Sequence, residues 1–257
     1  PQLKGFKGEL LVLNGDVPLL REDTLSSLLK FHKESNSSVT FLSARLESPT
    51  GYGRVFTNEA GLVNEIIEER DCDKKQRKNK LINAGIYCFN YPQLLAVLNS
   101  LSNQNSQNEI YLTDTISLLK KATHFEVNDP FEVQGINNRH QLSECESHIQ
   151  RKLKSFWMGK GVTFIDPTSC SLSEDSIIGT DVIIEPQTHL RGKCRIGNGC
   201  HIGPGTLITN STLSKNVLAI HSFISELTIG ESVSIGPFAH IRPESKISNN
   251  TKIGNFV

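Results

Sequence analysis

The sequence predicts two architectures in one chain: an α/β domain, then a parallel β-helix. Three observations predict it. Short apolar runs alternate with helical spacings through residue 137, an amphipathic stretch fills 138–158, and beyond Gly161 aliphatic residues recur every six positions. Alternating strands and helices imply a sheet covered by helices. A period of six fits neither a 3.6-residue helix nor a strand's alternation; it is the hexapeptide signature of stacked β coils. The domains are therefore drawn as 1–137, a linker helix 138–158, and 159–257.

In chain order, Leu10 to Leu13 is a continuous apolar run, as expected of a strand buried on both faces. Residues 23–34 carry Leu25, Leu28, Leu29 and His32 at helical spacing, with Asp23 as the expected N-cap. Val39 to Leu46 is the next strand, and the order strand, helix, strand favours a parallel sheet. TGYGRV is a two-glycine turn into a strand pair around Arg54–Phe56 and Leu62–Ile67. The charged run RDCDKKQRKNK (70–80) reads as a solvated loop. A strand is expected at Ala84–Phe89, helices at 92–99 and 112–121, and strands at 125–127 and 131–136. The linker helix places Leu142, Cys145, Ile149, Leu153 and Trp157 on one stripe.

The six-residue period runs through Ile178, Ile184, Leu190, Ile196, Ile202 and Ile208, then Ile229, Ile235, Ile241, Ile247 and Ile253. Two residues before each stands a small or β-branched residue, Cys194 and Cys200 among them, with Leu227 the exception. Each unit supplies one flat face, the aliphatic filling the inside and the small residue the corner. Gly often follows the aliphatic and is assigned to the turn. Residues 209–228 break the phase by a non-multiple of six, so an irregular coil or bulge is expected there.

Lys+Arg and Asp+Glu balance at 27 each, which gives no electrostatic footprint for nucleic acid. The six cysteines form no C-x-x-C pair and read as free thiols of a reducing, cytoplasmic compartment. Cys194 and Cys200 are packing residues by position, and His189 and His201 show no metal-ligand spacing. No apolar run reaches the roughly 20 residues that span a bilayer, and no signal peptide is seen.

Within ELLVLNGDVPLL, Asn14-Gly15-Asp16 interrupts the apolar run at a strand's carboxyl end, where open α/β sheets bind ligands. Gly15 permits close approach of a ligand to the backbone. Asp16 supplies a carboxylate suited to a hard cation that neutralises phosphate. On spacing alone, a turn Asp or a helix N-cap accounts for it as well.

LVLNGDVPLL, SPTGYGRV, VNEIIEERD, LINAGIY, NEIYLTDTI and VQGINNRHQL occur in that order and lead through FIDP into the hexapeptide run. This set resembles the family of bifunctional bacterial N-acetylglucosamine-1-phosphate uridyltransferase / glucosamine-1-phosphate acetyltransferases over essentially the whole chain. Motifs such as NGDVP are shared singly with other sugar-nucleotide pyrophosphorylases; the ordered set joined to a β-helix is the specific part. The resemblance implies a Rossmann-like mixed-sheet α/β nucleotidyltransferase domain followed by a left-handed parallel β-helix. It implies formation of UDP-N-acetylglucosamine from UTP and N-acetylglucosamine-1-phosphate, with acetyl-CoA-dependent acetylation of glucosamine-1-phosphate on the β-helix, for cell-wall precursor synthesis. By it, Asp16 and Asn137 would hold Mg²⁺, and Asn14 and Gly15 would lie near the nucleotide sugar. The backbone of Gly53 would bind the N-acetyl sugar, Glu68 and Asn83 would hydrogen-bond it, and Tyr111 and Thr113 would close its other side. Arg242, in IRPES, would pair with the phosphate of glucosamine-1-phosphate.

The family's triphosphate-cradling Gly-rich loop and uracil-reading residues have no counterpart ahead of Leu10, where the basic residues are Lys4 and Lys7. The acetyltransferase's Lys, His, Tyr and Asn have none up to Val257. The chain is therefore expected to be a fragment, inactive in both reactions by itself, of a parent that forms a homotrimer. Three rivals remain: a pyrophosphorylase for glucose- or mannose-1-phosphate with a β-helix, a non-catalytic ligand-sensing scaffold, and a stand-alone hexapeptide acyltransferase. The last leaves residues 1–137 unexplained.

Overall fold

The computed structural model describes residue 3 and residues 5–102 and 106–257. Lys4 lies outside the described residues. The chain forms two compact units, Pro1–Cys145 and Glu146–Val257.

The first unit is built on a six-stranded mixed sheet. Its strands are β1 (Glu9–Val12), β2 (Val39–Arg45), β3 (Arg54–Thr57), β4 (Val63–Ile67), β5 (Leu81–Asn90) and β6 (Ala122–Glu126). The order is β4-β3-β5-β2-β6, with β1 also paired to β5. Among the described residues of this sheet only β2 and β6 are parallel neighbours; β5 runs antiparallel to β1, β2 and β3. The expected parallel sheet is thus corrected to a mixed one. Helix α1 (Glu22–Ser35) joins β1 to β2, and β5 runs against both.

One edge of β5 is shared. β1 pairs with Tyr87–Asn90, and β3 with Ile82. The stretch between them pairs with neither, and this interruption floors the cavity described below. Among the described residues β1 pairs with β5, and Leu11 and Leu13 are 37% and 47% exposed rather than buried on both faces.

Helix α1 buries Thr24, Leu28 and His32. Its N-cap is Arg21 without a side-chain cap bond, so Asp23 is not the cap; with Glu22 it sits in the first turn, where the helix dipole favours acids. Asn36 ends the helix in the left-handed conformation, its N–H donating to the carbonyls of His32 and Lys33. Helix α2 (Tyr91–Leu98) starts at Asn90, whose side chain accepts from Gln93 N. The helix expected at 112–121 is a 3₁₀ turn at Leu112–Asp114 followed by α3 (Thr115–Leu118). The strand expected at 131–136 is instead a 3₁₀ turn at Pro130–Val133. Pro130 presets its first position, and the Asp129 carboxylate accepts from Phe131 N at 3.1 Å. Helix α4 (Arg139–Met158) falls where one helix was expected, the two units dividing within it after Cys145, and Leu142 on its stripe is 54% exposed.

In the second unit, strands of two or three residues form three parallel ladders. Ile184, Ile202, Ala219 and Ile235 stack along one; Leu190, Ile208, Ile224 and Ile241 along the second; Ile178, Ile196, Leu213 and Ile229 along the third. All are buried. Each buried aliphatic contributes roughly 1.5–3 kcal/mol, which lets such short strands persist.

No bulge interrupts 209–228. The inward residues continue as Leu213, Ala219, Ile224 and Ile229, with Ser211, Val217 and Ser222 in the small-residue slot. Three rungs there shed one residue at the corner, which shifts the phase without breaking a ladder. The glycine assignment holds at Gly236, left-handed at φ +95°, and is corrected at Gly197. Gly197 is not a left-handed residue; a β-carbon there would meet the Ser214 carbonyl carbon at 2.6 Å, so glycine is needed for coil stacking. Left-handed corners fall to residues such as Asp181, Asn216 and Asn250. Cys200 Sγ donates to Ser214 O at 3.0 Å and Cys194 Sγ to Arg191 O at 3.2 Å, so both thiols serve the packed corners. His189 bonds Ser171 and His201 bonds Glu185. Among the described residues no helix is long and apolar enough to cross a membrane.

Candidate functional site

A cavity of about 520 Å³ opens over the interrupted edge of β5. Of the residues singled out in the sequence, Asn14, Asp16, Gly53, Glu68, Asn83, Tyr111, Thr113 and Asn137 line it. Gly15 stands exposed in the turn between two lining residues, and Arg242 is exposed on the β-helix.

The turn after β1 carries Asn14 and Asp16 to the mouth. Ile136 N donates to Asp16 O at 2.9 Å, fastening this turn to the segment that holds Asn137. Gly135 makes the junction close. A β-carbon on it would lie 3.1 Å from Asp16 Oδ2 and 3.9 Å from Asn137 Nδ2, so both side chains stand over one bare glycine. Gln141 accepts from Asn137 N at 2.7 Å. Tyr52 Oη accepts from Gly135 N at 3.3 Å; burial, with Asp16 nearby, pushes its hydroxyl pKa up against that bond. A carboxylate, and an amide turned to present its oxygen, are ligand types that could hold a hard divalent cation.

The far wall is built by TGYGR and β4. Gly53 faces Glu68 so closely that a β-carbon on it would meet the carboxylate oxygens at 3.3 and 3.4 Å. Arg54, fully buried, donates to Tyr52 O and to Glu69 Oε2, tying the turn to the end of β4. Thr113 Oγ1 donates to Glu68 Oε1 at 3.0 Å. Burial raises the Glu68 pKa; the Thr113 bond opposes the rise, and Asp114 and Asp71 add to it. Tyr111 Oη accepts from Gln107 Nε2 at 2.6 Å.

The floor is Asn83 to Tyr87. Asn83 N donates to Gly53 O at 2.9 Å, Asn83 Nδ2 to Tyr87 Oη at 2.7 Å, and Gly85 N to Asn83 Oδ1 at 3.1 Å. Gly85 is left-handed at φ +74°, and the Asn14 side chain fills the space a β-carbon would need. The sequence singled out neither Tyr52, inside TGYGR, nor Tyr87, four residues beyond Asn83.

Away from the cavity, Glu9, His32 and Cys88 bring three ligand-type atoms within 4.8 Å. Both His32 nitrogens are engaged, Nε2 with Glu9 at 2.9 Å and Nδ1 with Thr40 at 2.8 Å. Burial pushes the Cys88 thiol up to about 12. The group is accounted for as a hydrogen-bonded link between α1 and the sheet.

Comparison with known proteins matches residues 2–152 to the family model for nucleotidyl transferases and residues 175–210 to bacterial transferase hexapeptide repeats. The chain is 80% identical over 257 residues to "Bifunctional protein GlmU" of Prochlorococcus marinus (strain NATL2A), covering all of this chain and 58% of that one. It is 60% identical over 196 residues to the protein of the same name from Synechococcus sp. (strain RCC307), covering 76% of this chain and 44% of the relative. Against that of Synechococcus sp. (strain CC9605) it is 56% identical over 257 residues, all of this chain and 57% of the other. The chain spans a little over half the length of the relatives it matches along its full extent. With more than half of its residues matched by the family model, and the sheet and cavity described above within that span, the chain belongs to the nucleotidyl transferase family.

Proposed function

We propose that the full-length protein carrying these residues joins UTP to N-acetylglucosamine-1-phosphate, releasing pyrophosphate and forming UDP-N-acetylglucosamine. The observation that carries this reading is the meeting of Asp16 and Asn137 over Gly135 at the mouth of a cavity also lined by Gly53, Glu68, Asn83, Tyr111 and Thr113. A neutral, amide-bearing sugar calls for amide, hydroxyl and carboxylate partners on rigid strands, and phosphates call for a cation at the entrance.

In the reaction a phosphate oxygen of the sugar-1-phosphate forms a bond to the α-phosphorus of UTP. The bond from that phosphorus to the bridging oxygen breaks, and pyrophosphate leaves with the electron pair. A divalent cation, Mg²⁺ by resemblance, would supply charge neutralisation at the phosphate oxygens. Asp16 and Asn137 would hold it. The Gly53 backbone, Glu68 and Asn83 would orient the acetamido sugar, Thr113 would fix the Glu68 carboxylate, and Asn14 and Tyr111 would border the sugar. This is catalysis by positioning and electrostatics, without a protein nucleophile.

The second activity follows from the likeness to bifunctional relatives and the hexapeptide coils. The β-helix would take part in acetyl transfer from acetyl-CoA to glucosamine-1-phosphate, with Arg242 pairing with the sugar's phosphate. The protein would act in the cytoplasm as a homotrimer.

The test is pyrophosphate release by the full-length protein with UTP and Mg²⁺, comparing N-acetylglucosamine-1-phosphate with glucose-1-phosphate. Strong preference for the acetamido sugar is expected. Equal use of both, or turnover of neither, overturns the reading.

A further inference from the structure

The Asn83 side chain has an acceptor and a donor that are nearly alike in shape, and a half-turn of the amide exchanges them. In the cavity Gly85 blocks that exchange at one end, and Tyr87 anchors the other. Gly85 N–H donates to Oδ1 at 3.1 Å and demands an oxygen there. Nδ2 donates to Tyr87 Oη at 2.7 Å; a hydroxyl can give or take a hydrogen bond, so this contact fixes where the amide sits and leaves its sense to Gly85. The backbone N–H of Asn83 is spent on Gly53 O, so the residue cannot turn as a whole. What remains for a ligand is the second hydrogen of Nδ2 and the second lone pair of Oδ1, in fixed places.

We propose that Tyr87 is a specificity-determining positioning residue: its hydroxyl anchors the Asn83 amide, whose sense Gly85 sets, in the place from which it discriminates an acetamido sugar from a plain one. This deepens, and rests on, the sugar-nucleotide reading above.

The ring of Tyr87 is placed by packing rather than by the hydroxyl. It stacks on Phe89 at 5.4 Å between centroids and tilts against Phe41 at 5.9 Å. Its backbone is fixed by pairing with Val12 of β1 and Phe41 of β2. Burial raises the phenol's pKa, so the hydroxyl stays neutral at all working pH values. Tyr87→Phe therefore removes one atom from an otherwise retained wall, and the amide loses its anchor at Nδ2.

The experiment uses the full-length protein, Tyr87→Phe, Asn83→Ala and the double variant, with UTP, N-acetylglucosamine-1-phosphate and glucose-1-phosphate. For Tyr87→Phe the KM for the acetamido sugar rises about tenfold, as expected for one lost buried hydrogen bond. Its kcat and the KM for UTP stay within twofold, and the preference over glucose-1-phosphate falls by a like factor. In the Asn83→Ala background the same change has no further effect, because Tyr87 acts through Asn83. An unchanged KM, equal losses for both sugars, or additive effects in the double variant overturn the proposal. If Tyr87→Phe disturbs folding, Tyr87→Trp keeps the claim testable. It retains an aromatic wall without an acceptor and must show the same loss of preference; a retained preference overturns the proposal. If the wild type turns over neither sugar, the proposed function fails by itself. The coupling is then read from calorimetric binding of the two sugar phosphates, where non-additivity of the two changes is still required.

Discussion

Asp16 Oδ2 lies 3.1 Å from the point where a β-carbon on Gly135 would sit. Gly135 adopts no left-handed conformation, so its bareness is explained by the neighbour rather than by the backbone. Gly135→Ala is expected to keep the fold and push the carboxylate away by a few tenths of an ångström. The apparent affinity for the divalent cation falls about tenfold, a positioning loss of the kind seen around metal ligands. A metal titration of initial rates, set beside an unchanged melting temperature, checks it.

Gly85 makes the opposite prediction. At φ +74°, with the Asn14 side chain in the place of a β-carbon, alanine is both strained and overcrowded. Gly85→Ala should cost about 1–3 kcal/mol of stability and displace Asn14, visible as a lower denaturant midpoint. An unchanged midpoint would refute the crowding argument.

Burial holds the Glu68 pKa above the usual carboxylate range, with Thr113 donating against the rise. The folded state therefore binds more protons than the unfolded chain between the ordinary and the raised value. Stability contributed by this group falls as pH rises through that interval, and the penalty is fully present above it. Glu68→Gln keeps the oxygen that accepts from Thr113. It should melt higher than wild type at pH 7 and together with it below the ordinary carboxylate range. Melting curves across that pH span decide.

In the β-helix, Ile177 and Ile178 are adjacent, yet Ile177 is 49% exposed and Ile178 is 4% exposed. Ile178→Ala opens a cavity between coils and should cost about 2–5 kcal/mol. Ile177→Ala should fall within about 0.5 kcal/mol of wild type. Urea unfolding followed by a probe of the second unit distinguishes them, and equal effects would contradict the assigned coil phase.

The hexad rule made most of the β-helix legible, since the inward position repeats and its neighbour alternates outward. It failed at 209–228 because the ladders need only an inward residue per face, and a corner tolerates five residues as well as six. In the α/β unit, the Asn14-Gly15-Asp16 interruption pointed to the cavity that Asn14 and Asp16 line, because a glycine and a carboxylate break an apolar run. The exposure along β1 was not legible: a run of leucines does not reveal which of them will be covered. Asp129-Pro130 overrode the apolar run after it, turning an expected strand into a 3₁₀ turn. Tyr87 reads as one more aromatic in a strand; its role depends on the hydroxyl meeting Asn83, which spacing does not disclose.

The central claim is that Asp16 and Asn137 act together at the phosphates through a divalent cation. Its most direct measurement is Mg²⁺-dependent pyrophosphate release by the full-length protein bearing Asp16→Asn or Asn137→Ala, with KM for N-acetylglucosamine-1-phosphate measured alongside. The account predicts a fall in turnover of about 100-fold or more for Asp16→Asn, a smaller fall for Asn137→Ala, and a raised metal requirement in both. Turnover and metal dependence equal to wild type in the Asp16→Asn protein would contradict it.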